Sequence, residues 1–348
     1  MSPNKFIGQL KEFNQYAERL TGEALKLDLI DRKILYLLGK NARLSNTYLA
    51  KILKIKRETV AYRIKRMKEK DFLHGNLTLL NFNKLGFRNY LVYMKLKKLT
   101  DEKEFFEYLF NFKEITRLKN CSGTYDVQIV FTIRDSNEFL LIIDSIVSKY
   151  HSIIQSHDIF EMIDEDFLGL SLIFKEKMGG LSFEQKGSTF QKEFVMQKVD
   201  DIKIDAIDKR ILEKLKLDAS ISISSLSNYV NIAPIAVENR VKKLIVGGVI
   251  KRFLPLASLS IVGYQWWKVL FKFNNLDKKK LLTYIKFNPN ILWYARLLGK
   301  WDYQFSIFAK NNSDFHRIID NMRNEFSENI MNYDALIIFN QFKYDQRI

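Results

Sequence analysis

The segment LDLIDRKIL at residues 27–35 decides the fold of this chain, because it returns 177 positions later as IDAIDKRIL at residues 204–212. The same offset pairs identical residues farther along both halves: Ala42 with Ala219, Ser45 with Ser222, Leu49 with Leu226, Val60 with Val237, Arg63 with Arg240, Lys65 with Lys242 and Gly86 with Gly263. At an offset of 176, GTYD at residues 123–126 aligns with GKWD at residues 299–302. Two diverged copies of one unit show this near-constant offset, so the chain is interpreted as a tandem repeat.

Each copy opens with a pattern that is typical of three short helices. In the first copy, Asp28 and Ser45 are suitable N-caps for the first and second helices. The third helix is indicated by apolar residues at i, i+4 and i+7, which are Val60, Ile64 and Met67. Residues 72–80 alternate in hydrophobicity, and Gly75-Asn76 can form a turn, so a β-hairpin is predicted there. Three helices and a hairpin wing make a winged helix-turn-helix.

The second part of each copy predicts a ferredoxin-like domain. Between residues 88 and 162 the pattern runs strand, helix, strand, strand, helix, strand, which is the βαββαβ order. The fold class is therefore α+β, with two copies of a winged helix-turn-helix followed by a ferredoxin-like domain. The predicted units are an amphipathic helix at 1–24, a first winged helix-turn-helix at 25–82, a first ferredoxin-like domain at 83–165, a linker at 166–201, a second, less basic winged helix-turn-helix at 202–258, and a second ferredoxin-like domain at 259–348.

Composition narrows the classes of partner. The chain has 348 residues and a formal net charge of +16, which favours nucleic acid or an anionic membrane surface as a partner. Cys121 is the only cysteine, which excludes an internal disulfide and a cysteine-built zinc site. No stretch approaches the roughly 18 uninterrupted apolar residues of a membrane helix, and Glu12 and Glu18 interrupt any secretory signal. The sequence predicts a cytoplasmic protein with no cofactor and no resident metal.

These motifs resemble those of the Lrp/AsnC family of prokaryotic transcription regulators. The resemblance rests on the opening at residues 27–35, the Asn41-Ala42-Arg43 element, the helix at 59–67, Gly86 and the turn at 123–126. It implies a DNA-binding winged helix-turn-helix joined to a ferredoxin-like domain that dimerises and often senses a small molecule, typically an amino acid. Most members of the family carry one such unit in each chain, so the tandem form is a departure.

The third helix of the first copy is the predicted DNA-binding element. The window 51–70 holds nine Lys or Arg residues against two Glu residues, a net charge of +7. A projection at 100° per residue places Tyr62, Lys65 and Arg66 on the outward face, and Arg57 at the amino end. Lys and Arg bind phosphates, and Arg can also fork onto a guanine edge. The predicted DNA-binding residues are Lys56, Arg57, Thr59, Tyr62, Arg63, Lys65, Arg66 and Lys70.

The second copy differs at the same place. The window 228–247 holds three Lys or Arg residues against one Glu residue, a net charge of +2. Pro234 stands where the first copy has Arg57, and Asn239 where it has Tyr62. We expect this helix to bind DNA weakly or to serve packing or protein contact. Arg240 matches Arg63 although the helix around it changes, so a structural role for this pair is as well supported as a DNA contact.

The resemblance also implies an effector region at the two matched turns. Its predicted residues are Gly123, Thr124, Tyr125, Asp126, Gly299 and Asp302. Thr124 and Lys300 replace the acidic residue that often follows the glycine in amino-acid-binding members. The turns equally suit a purely structural role, because Gly and Asp are common turn formers.

Three further alternatives stay open. The same two-domain fold occurs in siroheme decarboxylases, whose histidine-containing strand motif is not found here: the four histidines are His74, His151, His157 and His316, and none lies in 115–121 or 291–298. An architectural protein that binds DNA without sequence preference is the second alternative. For assembly, we expect a homodimer of chains if only the first helix-turn-helix reads DNA, while pairing of the two copies inside one chain gives a monomeric pseudo-dimer.

Overall fold

The computed structural model describes residues 25–97, 102–174 and 202–345, and the predicted amphipathic helix at 1–24 lies outside them. The first copy contains α1 (Leu29–Lys40), α2 (Asn46–Leu53), α3 (Arg57–Glu69), β1 (Leu73–Leu80), β2 (Arg88–Leu96), α4 (Glu102–Asn111), β3 (Ile115–Ser122), β4 (Val127–Ile133), α5 (Ser136–Lys149) and β5 (Ile154–Phe167). The second contains α6 (Ala206–Leu217), α7 (Ile223–Val230), α8 (Pro234–Val246), β6 (Ile250–Ala257), β7 (Gln265–Phe273), α9 (Lys278–Phe287), β8 (Ile291–Leu298), β9 (Tyr303–Ala309), α10 (Asn312–Glu325) and β10 (Ile330–Tyr344). The predicted α+β fold class and the βαββαβ order of each ferredoxin-like domain are confirmed.

The first helix starts at the predicted cap, Asp28, and the second copy has the same arrangement. Asp28 and Asp31 form a capping box, in which each carboxylate accepts a hydrogen bond from the other residue's backbone N–H. Asp205 and Asp208 repeat it at α6. A reciprocal box satisfies two backbone donors that a helix start otherwise leaves without partners. The repeated LDxxD motif is therefore first of all a helix-start signal.

The predicted hairpin at 72–80 is wrong. β1 is one continuous strand, and it pairs antiparallel with β6 of the other copy. At the centre of this ribbon Leu77 pairs with Leu254, which is its own equivalent at the 177-residue offset. The ribbon therefore lies on a local twofold axis, as in a symmetric dimer interface. Alternating hydrophobicity predicts a strand but does not reveal which strand it pairs with.

The eight strands of the two ferredoxin-like domains close into one barrel, in the order β10-β3-β4-β2-β5-β8-β9-β7. Two junctions join the copies, namely β5 with β8 and β10 with β3. Each junction pairs the last strand of one copy with the edge strand β3 or β8 of the other copy, and β3 and β8 are equivalent, so the exchange is reciprocal. The two copies thus pair inside one chain, and among the described strands neither sheet keeps a free edge.

The start of the predicted linker is ordered. β5 runs to Phe167, two residues beyond the predicted domain end at 165, and the chain then packs back on the first helix-turn-helix. Leu172 is buried there, and the Arg32 guanidinium donates a hydrogen bond of 2.8 Å to the carbonyl oxygen of Ile173. Residues 170–173 thus pack between α1 and β8 of the barrel.

None of the helices in 25–97, 102–174 and 202–345 combines the length and the hydrophobicity that a bilayer-spanning segment requires. The same ranges hold no group of three or more His, Cys, Asp or Glu side chains that could bind a metal ion.

Candidate nucleic-acid interface

The α3 helix buries one face and exposes the face that carries its basic residues. Val60 and Met67 are fully buried, as their spacing predicts. Tyr62 is 65% exposed. The exposed basic side chains of the predicted set are Lys56, Arg57, Lys65 and Lys70, whereas Thr59 is half-buried. Lys65 makes a loose ion pair of 3.6 Å with Glu69 on the same helix. This surface, formed by Lys56, Arg57, Tyr62, Lys65 and Lys70, is called the α3 face below.

Arg63 and Arg66 point to the first helix instead of to solvent. Arg63 donates to Asp28 at 2.6 Å and to Asp31 at 2.9 Å, and Arg66 also binds Asp31. The Asp31 side chain is fully buried, while Arg63 and Arg66 are 16% and 32% exposed. The predicted outward position of Arg66 is wrong, because a buried carboxylate needs charged partners and takes two guanidinium groups from α3.

The second copy contains the same ion-pair cluster. Arg240 contacts Asp205 at 2.7 Å and Asp208 at 2.8 Å, and Lys243 contacts Asp208 at 3.3 Å. These are the positions of Arg63 and Arg66. Because the cluster persists where the rest of the helix surface has changed, it holds the third helix against the first in both copies.

The exposed face of α8 has a different chemistry. Pro234 occupies the first turn, where proline needs no hydrogen-bonded N–H. Ile235 is 62% exposed, and Asn239 and Lys242 are exposed beside it. Lys242 pairs with Glu238 at 2.8 Å, which offsets its charge. The surface formed by Ile235, Asn239 and Lys242 is called the α8 face below.

The two predicted effector turns lie at contacts between the copies. A Cβ on Gly123 would lie 2.8 Å from the Leu336 side chain, and one on Gly299 would lie 2.9 Å from Phe160. Leu336 and Phe160 are themselves equivalents at the 176-residue offset, so each turn packs against the last strand of the other copy. Tyr125 is buried and hydrogen-bonded to Asp158. Thr124 is exposed at the tip of its turn.

The turn carboxylates act within the fold. Asp126 accepts hydrogen bonds from the Leu96 backbone N–H at 2.8 Å and from Lys95 at 3.0 Å. Asp302 accepts from the Phe273 N–H at 2.8 Å and from Lys272 at 2.9 Å. Each aspartate thereby fixes the end of a neighbouring strand. The effector role of these turns remains a prediction.

Sequence reasoning missed a charged cluster inside the barrel. Arg117 forms a buried, bidentate ion pair with Glu165, with both oxygen–nitrogen distances at 2.7 Å. Burial raises the pKa of Glu165, but Arg117 outweighs it and holds that pKa at about 2. The available signal was the run TRLKN at 116–120, in which Arg117 and Lys119 share one face of a predicted strand.

Two further lysines are buried near this pair. Burial, together with the charge of Arg117, lowers the pKa of Lys119 to about 7. Burial also lowers the pKa of Lys268 well below its ordinary value, and the charge of Lys119 adds to that effect. The Lys268 ammonium nitrogen lies 3.7 Å from the ring centroid of Trp293 and 2.7 Å from the Ser306 hydroxyl. Both amines therefore lose protons more readily than exposed lysines do.

Comparison with known proteins identifies the helix-turn-helix units. Residues 27–68 and 204–245 both match the AsnC-type helix-turn-helix domain. The chain is 31% identical over 123 residues to the transcriptional regulator AzlB of Bacillus subtilis, an alignment that covers 34% of this chain and 78% of AzlB. It is 28% identical over 148 residues to an uncharacterised HTH-type transcriptional regulator of Pyrococcus furiosus, covering 41% of this chain and 97% of that protein. Each alignment spans about one copy of the repeat.

A solved structure matches the tandem arrangement. The siroheme decarboxylase NirDL aligns with 91% of this chain and 93% of its own, with a TM-score of 0.60 and 9% sequence identity. At this identity the likeness concerns the fold alone.

Proposed function

This chain belongs to the Lrp/AsnC family of helix-turn-helix transcriptional regulators, and we propose that it recognises specific double-stranded DNA mainly through the α3 face. The observation that carries the proposal is the exposure of Lys56, Arg57 and Lys65 on the third helix of a helix-turn-helix. The N-terminal residues of such a helix enter the major groove, while lysines and arginines around it neutralise phosphates. Arg63 and Arg66 lie outside this surface. Their ion pairs with Asp31 hold α3 against α1.

The charge difference between the copies supports a dominant role for the first one. The α3 window carries +7 and the α8 window +2, and the ion pair of Lys242 with Glu238 reduces the positive charge of the α8 face further. Phosphate contacts supply most of the sequence-independent part of DNA affinity. Most of that part should therefore come from the first copy.

We further propose that one chain takes the place of a dimer of single-unit relatives. A helix-turn-helix dimer presents two recognition helices related by a twofold axis. The pairing of Leu77 with Leu254 supports a twofold axis within this chain, so a second chain is not needed to supply the second helix. The sequence predicts a homodimer of chains only if the second helix-turn-helix takes no part in DNA binding.

The test compares matched substitutions in the two copies. Lys65→Ala and Lys242→Ala remove equivalent, exposed lysines that each pair with a glutamate on the same helix. Titration of a labelled duplex should show a larger loss of affinity for Lys65→Ala, and a still larger one for the triple change of Lys56, Arg57 and Lys65 to Ala. The slope of log affinity against log salt should fall by about 0.9 for each phosphate that a variant no longer neutralises. Equal losses in the two copies would contradict the dominance of α3.

An architectural role without sequence preference makes a different prediction. Specific regulators bind their sites about 10³- to 10⁷-fold more tightly than other DNA at the same salt concentration. Selection of bound fragments from random duplexes, followed by titration against an unrelated duplex, measures this ratio. A ratio near one would favour the architectural role.

We propose that the chain has no enzymatic activity. Support comes from the regulator family and from β3 and β8, whose sequences contain no histidine. Because the fold is shared with a siroheme decarboxylase, siroheme is the molecule to test. A Soret band that shifts on addition of the protein, followed by loss of the substrate's carboxyl groups, would overturn this proposal.

For regulation, we propose the turns at 123–126 and 299–302 as the effector region. Because each turn touches the last strand of the other copy, a ligand bound there would act on the contact between copies. Thermal melting in the presence of each of the twenty amino acids tests this, with Thr124→Ala and Lys300→Ala as variants at exposed positions. A rise in Tm that the variants lose supports the proposal, and the absence of any rise in the unaltered protein contradicts it.

A further inference from the structure

Building on the proposed function, we infer that this protein recognises an asymmetric operator with two unlike half-sites. The α3 face reads a half-site that contains guanine, and the α8 face reads a half-site rich in A·T pairs. The chain then binds its operator in one orientation only.

The two faces present different groups at the same helical positions. At the 177-residue offset, Arg57 corresponds to Pro234, Glu58 to Ile235, Tyr62 to Asn239 and Lys65 to Lys242. All eight residues are exposed. Buried positions behave in the opposite way: Val60 corresponds to Val237 and both are fully buried. The scaffold of the recognition helix is thus shared between the copies, while the surface that would meet the bases differs.

The exposed groups of each face suit different base pairs. An arginine can donate a bidentate pair of hydrogen bonds to O6 and N7 of guanine, which gives Arg57 on the α3 face a preference for G·C pairs. A side-chain amide forms the matching pair of hydrogen bonds with N6 and N7 of adenine, which gives Asn239 a preference for A·T pairs. Ile235 offers an apolar surface to a thymine methyl group. The α8 face has little charge for phosphates, yet it has the groups needed to read bases.

The framework presents both faces together. The β1–β6 ribbon places the two helix-turn-helix units about a local twofold axis, and the closed barrel joins their ferredoxin-like domains. In a dimer of identical chains such an axis makes the two half-sites alike. Here the backbone has twofold symmetry, but the side chains that would contact the bases differ between the copies. The backbone therefore sets the spacing of the half-sites, and the side chains make the two half-sites different.

The first experiment selects duplexes from a random pool with the full chain and repeats the selection with Arg57→Ala and with Asn239→Ala. The unaltered protein should return a non-palindromic consensus. Arg57→Ala should weaken discrimination about 5- to 100-fold at a guanine in one half, and Asn239→Ala by a similar factor at an adenine in the other half. A palindromic consensus with equal halves overturns the inference, as does an Asn239→Ala consensus identical to that of the unaltered protein.

The second experiment reads the orientation directly. Thr47→Cys and Ser224→Cys place a thiol at equivalent, exposed positions of α2 and α7, where an iron chelate that cleaves DNA can be attached. Cys121 is buried, and burial raises the pKa of its thiol to about 12, so we expect the native thiol to react far more slowly than the introduced ones. Each labelled variant should cut one half of the selected operator, and the two variants should cut opposite halves. Cutting of both halves by each variant shows binding in two orientations and overturns the inference.

The two proposals fail differently. If the chain retains no duplex at low salt, the proposed DNA binding is wrong, and the inference falls with it. If the chain binds and selects DNA but the halves are alike, only the inference is wrong.

Discussion

At the scale of single residues, the buried Asp31 carboxylate decides how α3 is held. Asp31→Asn removes the charge that Arg63 and Arg66 share, and leaves both guanidinium groups without their common partner. Loss of a buried, charge-assisted hydrogen bond costs about 1–3 kcal/mol, so we expect the free energy of unfolding in urea to fall by that amount. Asp208→Asn is the matched change in the second copy. A loss within about 0.5 kcal/mol of zero, as for surface substitutions, would show that the cluster does not hold the helix.

The buried lysines of the barrel predict an unusual dependence of stability on pH. The pKa of Lys119 is about 7 in the folded protein, whereas an unfolded chain restores the ordinary value for lysine near 10.4. Between these values the unfolded state binds more protons, so stability rises as the pH rises through this window. Below pH 7 the folded amine is protonated as well, and the gain is fully lost. The lowered pKa of Lys268 acts in the same direction.

Urea titrations at pH 7, 8 and 9 measure this effect. The limiting slope is about 1.4 kcal/mol per pH unit for each lysine. Lys119→Met should reduce the slope, and the double change of Lys119 and Lys268 to Met should remove most of it. A slope that the double variant keeps would place the responsible groups elsewhere in the chain.

At the scale of elements, local pattern predicted most of the structure. The N-caps Asp28 and Ser45, and the buried positions Val60 and Met67, follow from short-range spacing, and the structure confirms them. The partner of β1 could not be predicted in this way, because alternation at 72–80 is the same whether the strand folds on itself or pairs with β6. The position of Arg66 was missed because helical projection does not include a buried carboxylate on another helix.

The glycine turns provide the sharpest test of an element. Gly123 has φ at +140°, and a Cβ there would lie 2.8 Å from Leu336 and 3.0 Å from the Ala335 carbonyl oxygen. Gly123→Ala should therefore combine backbone strain with a clash, and lower the free energy of unfolding by more than the roughly 1–3 kcal/mol of strain alone. Gly75 has a similar φ of +147°, with nothing within 4 Å of its Cβ position, so Gly75→Ala isolates the strain. If the two variants lose the same free energy of unfolding in urea, the Cβ at position 123 does not clash with the other copy.

At the scale of the whole molecule, closure of the barrel predicts a single chain in solution. Both junctions between the copies are made within one polypeptide, and in the described part of the chain no edge of either ferredoxin-like sheet is free to pair with another molecule. Light scattering should give the mass of one chain across a hundredfold range of concentration. A mass of two chains that persists on dilution would contradict this expectation.

At this scale, sequence predicts a charged surface more readily than a cluster of buried charges. The charge of 51–70 predicts the position of the DNA-binding surface, and the mismatch of Arg57 with Pro234 predicts its asymmetry, and both stay predictions. The approach of Glu165 and Lys268 to Arg117 and Lys119 could not be predicted, because β5, β7 and β3 come together only when the barrel closes.

The pairing of Leu77 with Leu254 inside one polypeptide affects how occupancy of DNA depends on the amount of protein. Regulators assembled from separate subunits fall apart as they become scarce, so occupancy of their sites responds steeply to the amount of protein present. Here the covalent tether keeps the halves at a high effective concentration however few molecules a cell contains. Occupancy should then follow a simple one-to-one binding curve, without the extra steepness that subunit assembly adds.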